Sequence, residues 1–214
     1  MKIANNILRY YLRNVYFLCG TACGGKTTLS KALAQKHGLL LYEENATYAI
    51  SKLIADRQNQ PAQCTHFPSW EFYFNRPYQQ YHQWLQEVAE EQLPVALIEL
   101  IKLAEHQRVV ADMHMPVQTA LSISERERIV FLVAEPDLVV KDYYHRPDHK
   151  DFYDCIMALP EPEKALCNIS KMLKYGTEMF LKELYQSDVF YLLRDETSTI
   201  ENRLQRVEKH FGLS

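Results

Sequence analysis

Glycine is scarce in this sequence: there are six in 214 residues, and three of them sit at 20, 24 and 25. The chain is also poor in paired cysteines. The five at 19, 23, 64, 155 and 167 form no C-x-x-C pair and no finger spacing. That excludes a disulfide framework and a zinc ribbon, and makes a reducing, cytoplasmic compartment the expected one. No uninterrupted apolar run reaches the length of a membrane span. The first fourteen residues scatter Lys2, Arg9 and Arg13 among apolar positions and run straight into a strand, so they lack the apolar stretch of a signal peptide. A basic excess is missing too. With a net charge of −3, a surface that tracks nucleic-acid phosphates is not expected, and the expected partner is a small molecule. There is no internal repeat and no low-complexity tract.

What is present is an alternation of strands and helices. Val15 to Cys19 is a short β-prone run ended by a glycine-rich turn. Lys26 to His37 has the helical period, with Leu29, Ala32 and Leu33 on one face and Gly38 where a left-handed residue would stop it. Further strands are expected at 39–42, 108–111, 129–133 and 189–193. Asn45 is the expected cap of a helix to Arg57 that buries Ala49, Ile50, Leu53 and Ile54. Gln60 to Pro68 reads as a loop. Residues 70–106 read as helix, with Pro94 opening a second helix at its first turn. A long helical stretch covers 161–185. A last helix repeats Ile200, Leu204, Val207 and Phe211 after a capping box of Ser198 and Glu201. Five strands alternating with helices imply one α/β domain over 1–214 with a parallel sheet covered on both faces. The expected insertions are a helical substrate lobe near 45–92 and a lid near 141–160.

The chemistry is concentrated in Gly20-Thr21-Ala22-Cys23-Gly24-Gly25-Lys26-Thr27, followed by Thr28. The string matches G-x-x-x-x-G-K-[ST] and lies between a strand and a helix, as a phosphate loop must. Glycine permits the positive φ angles and the close approach that let successive N–H groups surround a phosphate. The helix behind adds its positive end. Lys26 is then expected to reach the β- and γ-phosphates of ATP, and the Thr27 hydroxyl to bind Mg2+.

Four other places could complete the site. Asp112 ends the apolar run from Val109 and is a candidate magnesium contact; an ordinary turn carboxylate is the alternative. Glu43 and Glu44 close the second strand, where open α/β sheets gather ligand groups. One of them, with Glu44 the candidate catalytic residue, could orient an acceptor hydroxyl, or the pair could be solvated. The segment from Ser69 to Tyr81 is rich in aromatics around Arg76, either as lobe core or as an acceptor site. The basic run Tyr143 to Lys150 contains Arg146, the candidate lid cation over the transferring phosphoryl group.

Together these features resemble the adenylate kinase-like group of P-loop kinases, which includes nucleoside monophosphate kinases, shikimate kinase and chloramphenicol phosphotransferase. The resemblance rests on Gly20 to Thr28, VVADMHMP at 109–116, HRPD at 145–148 and a final strand and helix. It implies a P-loop NTPase three-layer sandwich of sheet order 2-3-1-4-5 and transfer of the γ-phosphoryl group of ATP to a small acceptor. In adenylate kinases the segment similar to Asp112 to Pro116 is followed by arginine, whereas this chain has Val117. Its lid also has fewer arginines. Both departures set it apart from kinases of nucleoside monophosphates. A GTPase-like switch would need D-x-x-G and N-K-x-D segments, and neither string occurs. A nucleotide-binding module without catalysis is the other reading.

Overall fold

The computed structural model describes residues 3–146, 149–195, 197 and 199–213. Strands β1 (Val15–Gly20), β2 (Leu40–Tyr42), β3 (Val109–Asp112), β4 (Ile129–Ala134) and β5 (Tyr191–Arg194) form one sheet of order β2-β3-β1-β4-β5. Every recorded pairing is parallel. All residues of β1, β3 and β4 are buried, as central strands covered on both faces must be.

Side chains alternate between two cores with the period of a strand. Tyr16, Leu18, Val110, Val130 and Leu132 meet Leu29 and Leu33 of α2 (Lys26–His37) and Val207 and Phe211 of α10 (Ile200–Phe211). Val15, Phe17, Ala111, Phe131 and Val133 face the other way. They pack on Leu100 of α5 (Tyr78–Ala104), Val117 of α6 (Val117–Ile123) and Leu184 of α9 (Pro162–Tyr185). A third cluster joins Phe74 of α4 (Trp70–Phe74), Tyr81, Val139 of α7 (Pro136–Asp142), Ile156 of α8 (Lys150–Met157) and Ile169. This cluster links the regions read from sequence as lobe and lid.

Several local expectations need correction. The N-terminal stretch does lead into β1 at Val15, but it contains a helix, α1 (Asn5–Tyr11), that was not expected. This helix buries none of its residues and leaves no core stripe to read; Arg9 ties it to the carbonyls of Leu121 and Ser122 at 2.6 and 3.3 Å. Pro94 starts no helix but lies inside α5. It and Glu90, the residue whose carbonyl loses its i+4 donor, are both exposed, so water can serve that carbonyl.

Helix α3 (Tyr48–Ile54) is capped at Thr47, not Asn45, and reverses its expected face. Ile50, Leu53 and Ile54 are exposed, whereas Ser51 is buried and donates to Gln63 Oε1 at 2.9 Å. Within the loop 60–68, Ala62 and Gln63 donate their amides to Glu91. Gly38 does close α2 in the left-handed region, at φ 60°. Ser198 lies outside the described residues; Thr199 caps α10, accepting from the Asn202 amide at 3.2 Å.

Candidate functional site

The register of the sheet brings the site together. Leu18 pairs with Asp112 and Gly20 with Leu132, so the turn leaving β1 rises between the ends of β3 and β4. The turn passes so close to β4 that a Cβ on Gly20 would lie 2.0 Å from the Leu132 carbonyl oxygen, and one on Gly24 2.2 Å from it. Only glycine fits at either place. Gly25, at φ 85°, turns the chain into α2. Thr21 anchors the loop, its amide donating to Leu132 O at 3.2 Å and its hydroxyl accepting from the Ala134 amide at 3.4 Å.

Two arginines hold the outside of this loop. Arg194, at the end of β5, donates to the Cys23 carbonyl at 2.8 Å and pairs with Asp142 at 2.9 Å. Arg203, buried on α10, donates to the Gly24 carbonyl. A trans peptide holds its C=O and N–H antiparallel, so this bond aims the Gly25 N–H into the loop. Burial lowers the Arg203 pKa to about 10, with repulsion from Arg194 and Arg206 acting in the same direction. Its Nε is buried without a partner.

On the inside, Lys26 Nζ donates to Thr21 O at 3.1 Å. The Thr27 hydroxyl donates to Asp112 Oδ2 at 2.6 Å. Asp112 is 4% exposed, and its other oxygen, Oδ1, is buried with no partner. Burial raises the Asp112 pKa, opposed by Lys26 and by the Thr27 hydroxyl and reinforced by Glu44 and Glu43. A buried carboxylate oxygen without a donor is costly unless a cation or water meets it. Since Thr27 uses its proton on Asp112, its lone pairs stay available. Among the described residues no group of three or more His, Cys, Asp or Glu could hold a metal. One carboxylate and one hydroxyl instead suit magnesium, which keeps most of its waters and takes phosphate oxygens.

His114 organises the next layer. Its amide donates to Glu44 Oε1 at 3.0 Å. Its Nδ1 lies 3.0 Å from the Gly20 carbonyl, which can only accept, so Nδ1 carries the proton. In the neutral ring Nε2 is then the acceptor, 3.4 Å from Gln86 Nε2. Glu43 pairs with Lys31 at 3.0 Å. Both glutamates face one open cleft of about 1530 Å³ that also includes residues 21–28, Asp112 and Arg146.

The structure therefore brings the sequence candidates Lys26, Thr27, Glu44, Asp112 and Arg146 to one cleft, while Gly20 contributes through its carbonyl to His114. Arg146 lines the cleft beside Cys23; burial raises the Cys23 thiol pKa, and Arg146 pulls against it. Pro147 and Asp148 of the HRPD segment lie outside the described residues. Lys150 points elsewhere and pairs with Asp154. Arg76 is no cleft residue. Its guanidinium sits 4.1 to 4.8 Å from the rings of Phe67, Tyr73, Tyr81 and Trp84, so these aromatics are lobe core.

Sequence reasoning missed Arg194, Arg203, His114, Gln86 and His82. Arg203 carried a signal: it interrupts the apolar stripe of α10, three residues after Ile200 and four before Val207.

Comparison with known proteins adds the following. The family profile of an AAA domain matches residues 15–94, which is less than half of the chain and includes the loop. No curated protein matches. Among solved structures, a shikimate kinase from Bacteroides thetaiotaomicron is similar over 93% of this chain and 98% of its own, at 17% identity and a TM-score of 0.46. The fold assignment stands on the parallel sheet of order 2-3-1-4-5, with a glycine-shaped phosphate loop leaving its central strand.

Proposed function

We propose that this protein is a magnesium-dependent kinase that transfers the γ-phosphoryl group of ATP to a small acceptor, as one domain with a substrate lobe near 45–92 and a lid near 141–160. The observation that carries the reading is the Thr27 to Asp112 contact beside a phosphate loop, with Asp112 Oδ1 buried and unpartnered. That pair would hold magnesium, which supplies charge neutralisation at the β- and γ-phosphates. Residues 21–28 would cradle the phosphates with backbone N–H groups, and Lys26 would leave Thr21 O to reach them. Glu44, steadied by the His114 amide, would orient the acceptor hydroxyl and take its proton.

Incubation with ATP, magnesium and pooled metabolites tests the reading. A compound that gains one phosphoryl group, with matching ADP release, is the expected result. ATP binding with no transfer to any compound would instead favour a non-catalytic nucleotide-binding protein.

Arg146 would serve as the cation that meets the transferring group from the side opposite the loop. Arg146→Ala should lower kcat about a hundredfold, the order seen when one transition-state donor is removed. Affinity for ATP without acceptor should change little, because the arginine acts on charge that develops only in the reaction. An unaltered kcat would assign Arg146 to the structure of the Cys23 turn alone.

Arg203→Met should act differently, by loosening the loop before any chemistry. Loss of its bond to Gly24 O is expected to cost about 1 to 3 kcal/mol of folding stability and to weaken ATP binding about tenfold. Denaturant unfolding and calorimetric titration measure the two. If affinity holds while stability falls, the loop keeps its shape without the brace.

A further inference from the structure

The cleft is divided by charge. Lys26, Arg194 and Arg203 hydrogen-bond Thr21 O, Cys23 O and Gly24 O of the phosphate loop, and Arg146 lines the same end of the cleft beside Cys23. The opposite half, between the end of β2, the N-terminal half of α5 and the middle of α9, is built otherwise. Its ionised groups are carboxylates, namely Glu43, Glu44 and Glu183, beside Asp112. Lys31 is its basic residue, and Lys31 is already paired with Glu43 at 3.0 Å. No other lysine or arginine lines this half among the described residues.

Its walls are apolar. Leu85, Val88 and Ala89 of α5 and Met179 and Phe180 of α9 line it. His82 adds no positive charge, because burial lowers its pKa, assisted by His114. The ring is seated tightly, since a Cβ on Gly176 of α9 would lie 2.5 Å from His82 Cδ2. Arg76, the cation nearest in sequence, is stacked among four aromatic rings away from the cleft.

An anionic acceptor entering here would lose its water to a wall that offers carboxylates and hydrocarbon, with no cation to replace the hydration. An uncharged or positively charged body would meet the opposite balance. It would bury apolar surface on α5 and α9, and a positive group would face Glu44 or Glu183. The geometry points to an acceptor that is an alcohol with an apolar body and zero or positive charge, and not a carboxylate or phosphate. This rests on the kinase reading above. In the reaction the alcohol oxygen forms a bond to the γ-phosphorus. The bond from that phosphorus to the β,γ-bridging oxygen breaks, its electron pair leaving with ADP, and the hydroxyl proton passes to Glu44.

The test uses the full chain, magnesium and γ-labelled ATP with pooled cell metabolites separated by ion exchange at pH 7 into anionic, neutral and cationic fractions. Label should pass into a compound of the neutral or cationic fraction. With that compound in hand, Gln92→Lys adds a cation to the acceptor wall: the KM of a cationic compound should rise tenfold or more and that of a neutral one should not fall, with the KM for ATP as control. Labelling of the anionic fraction that equals or exceeds the others overturns the assignment, as does a lowered acceptor KM in Gln92→Lys, or an unchanged one for a cationic compound. No label in any fraction removes the kinase reading itself, and this assignment with it.

Discussion

Lys26→Ala is expected to reduce phosphoryl transfer about a thousandfold while leaving the fold intact. The lysine follows Gly25, whose φ of 85° sets the direction in which α2 begins, so its place over the loop is fixed by backbone and not by its own contacts. Its head group makes one hydrogen bond, to Thr21 O at 3.1 Å, and losing such a bond costs about 1 kcal/mol of stability. Its catalytic weight is larger. A cation held in a site shaped before reaction acts on the charge spreading over the γ-phosphoryl oxygens, and removal of one such group costs a factor of about a hundred to a thousand. Lys26 also opposes the upward shift of the Asp112 pKa, so that pKa should rise further in the variant. Steady-state assay with the acceptor, alongside thermal unfolding, separates the two effects. Near-normal turnover in a folded variant would remove the phosphate loop from catalysis.

The parts of this site that were legible in sequence are those whose partners lie close along the chain or whose type has one use. The strands β1, β3 and β4 are buried throughout, so unbroken apolar runs marked them. The glycines at 20, 24 and 25 announce the loop because two stand against a neighbouring strand and one turns the chain. Asp112 was visible as a carboxylate ending an apolar run, although its bond to Thr27 spans 85 positions. Arg194 and Arg203 were not. Their bonds to Cys23 and Gly24 reach across 171 and 179 positions, and a lone arginine says nothing about which carbonyl it meets. Helix α3 misled because its pattern gave the right apolar face but not its direction. What packs inward is Ser51, which bonds Gln63, and the apolar side remains exposed.

The regions proposed as lobe and lid touch in this structure. Phe152 of α8 lies 5.9 Å from Phe74 and 6.3 Å from Trp70 of α4, ring centre to ring centre. Tyr143, His145 and Arg146, in the chain after α7, line the same cleft as residues 21–28. If the region 141–160 moves during turnover, the aromatic contacts around Phe152 are those it must break to open.

Asp112→Asn tests the metal assignment from two sides, because on the proposed reading this carboxylate serves function at the expense of the fold. In the folded chain burial raises the Asp112 pKa, so ionising it costs free energy that unfolding would return. That penalty is present once pH exceeds the unfolded carboxyl value and grows until it passes the raised folded one. Above that raised value the metal-free protein carries it in full. Asparagine keeps an acceptor for the Thr27 hydroxyl but brings no charge, so the variant without metal should be at least as stable as the parent, and by up to about 1 kcal/mol more stable. Magnesium with ATP should then reverse the order. In the parent, a divalent cation held at Asp112 would offset the penalty, raising the unfolding temperature. In Asp112→Asn that rise should shrink, and turnover should fall about a hundredfold or more at saturating ATP. Thermal unfolding with and without MgATP measures the first effect, and magnesium titration of turnover the second. A variant less stable than the parent without metal, yet stabilised equally by MgATP, would make Asp112 a structural partner of Thr27, and the metal would then have to be held from Glu43 or Glu44.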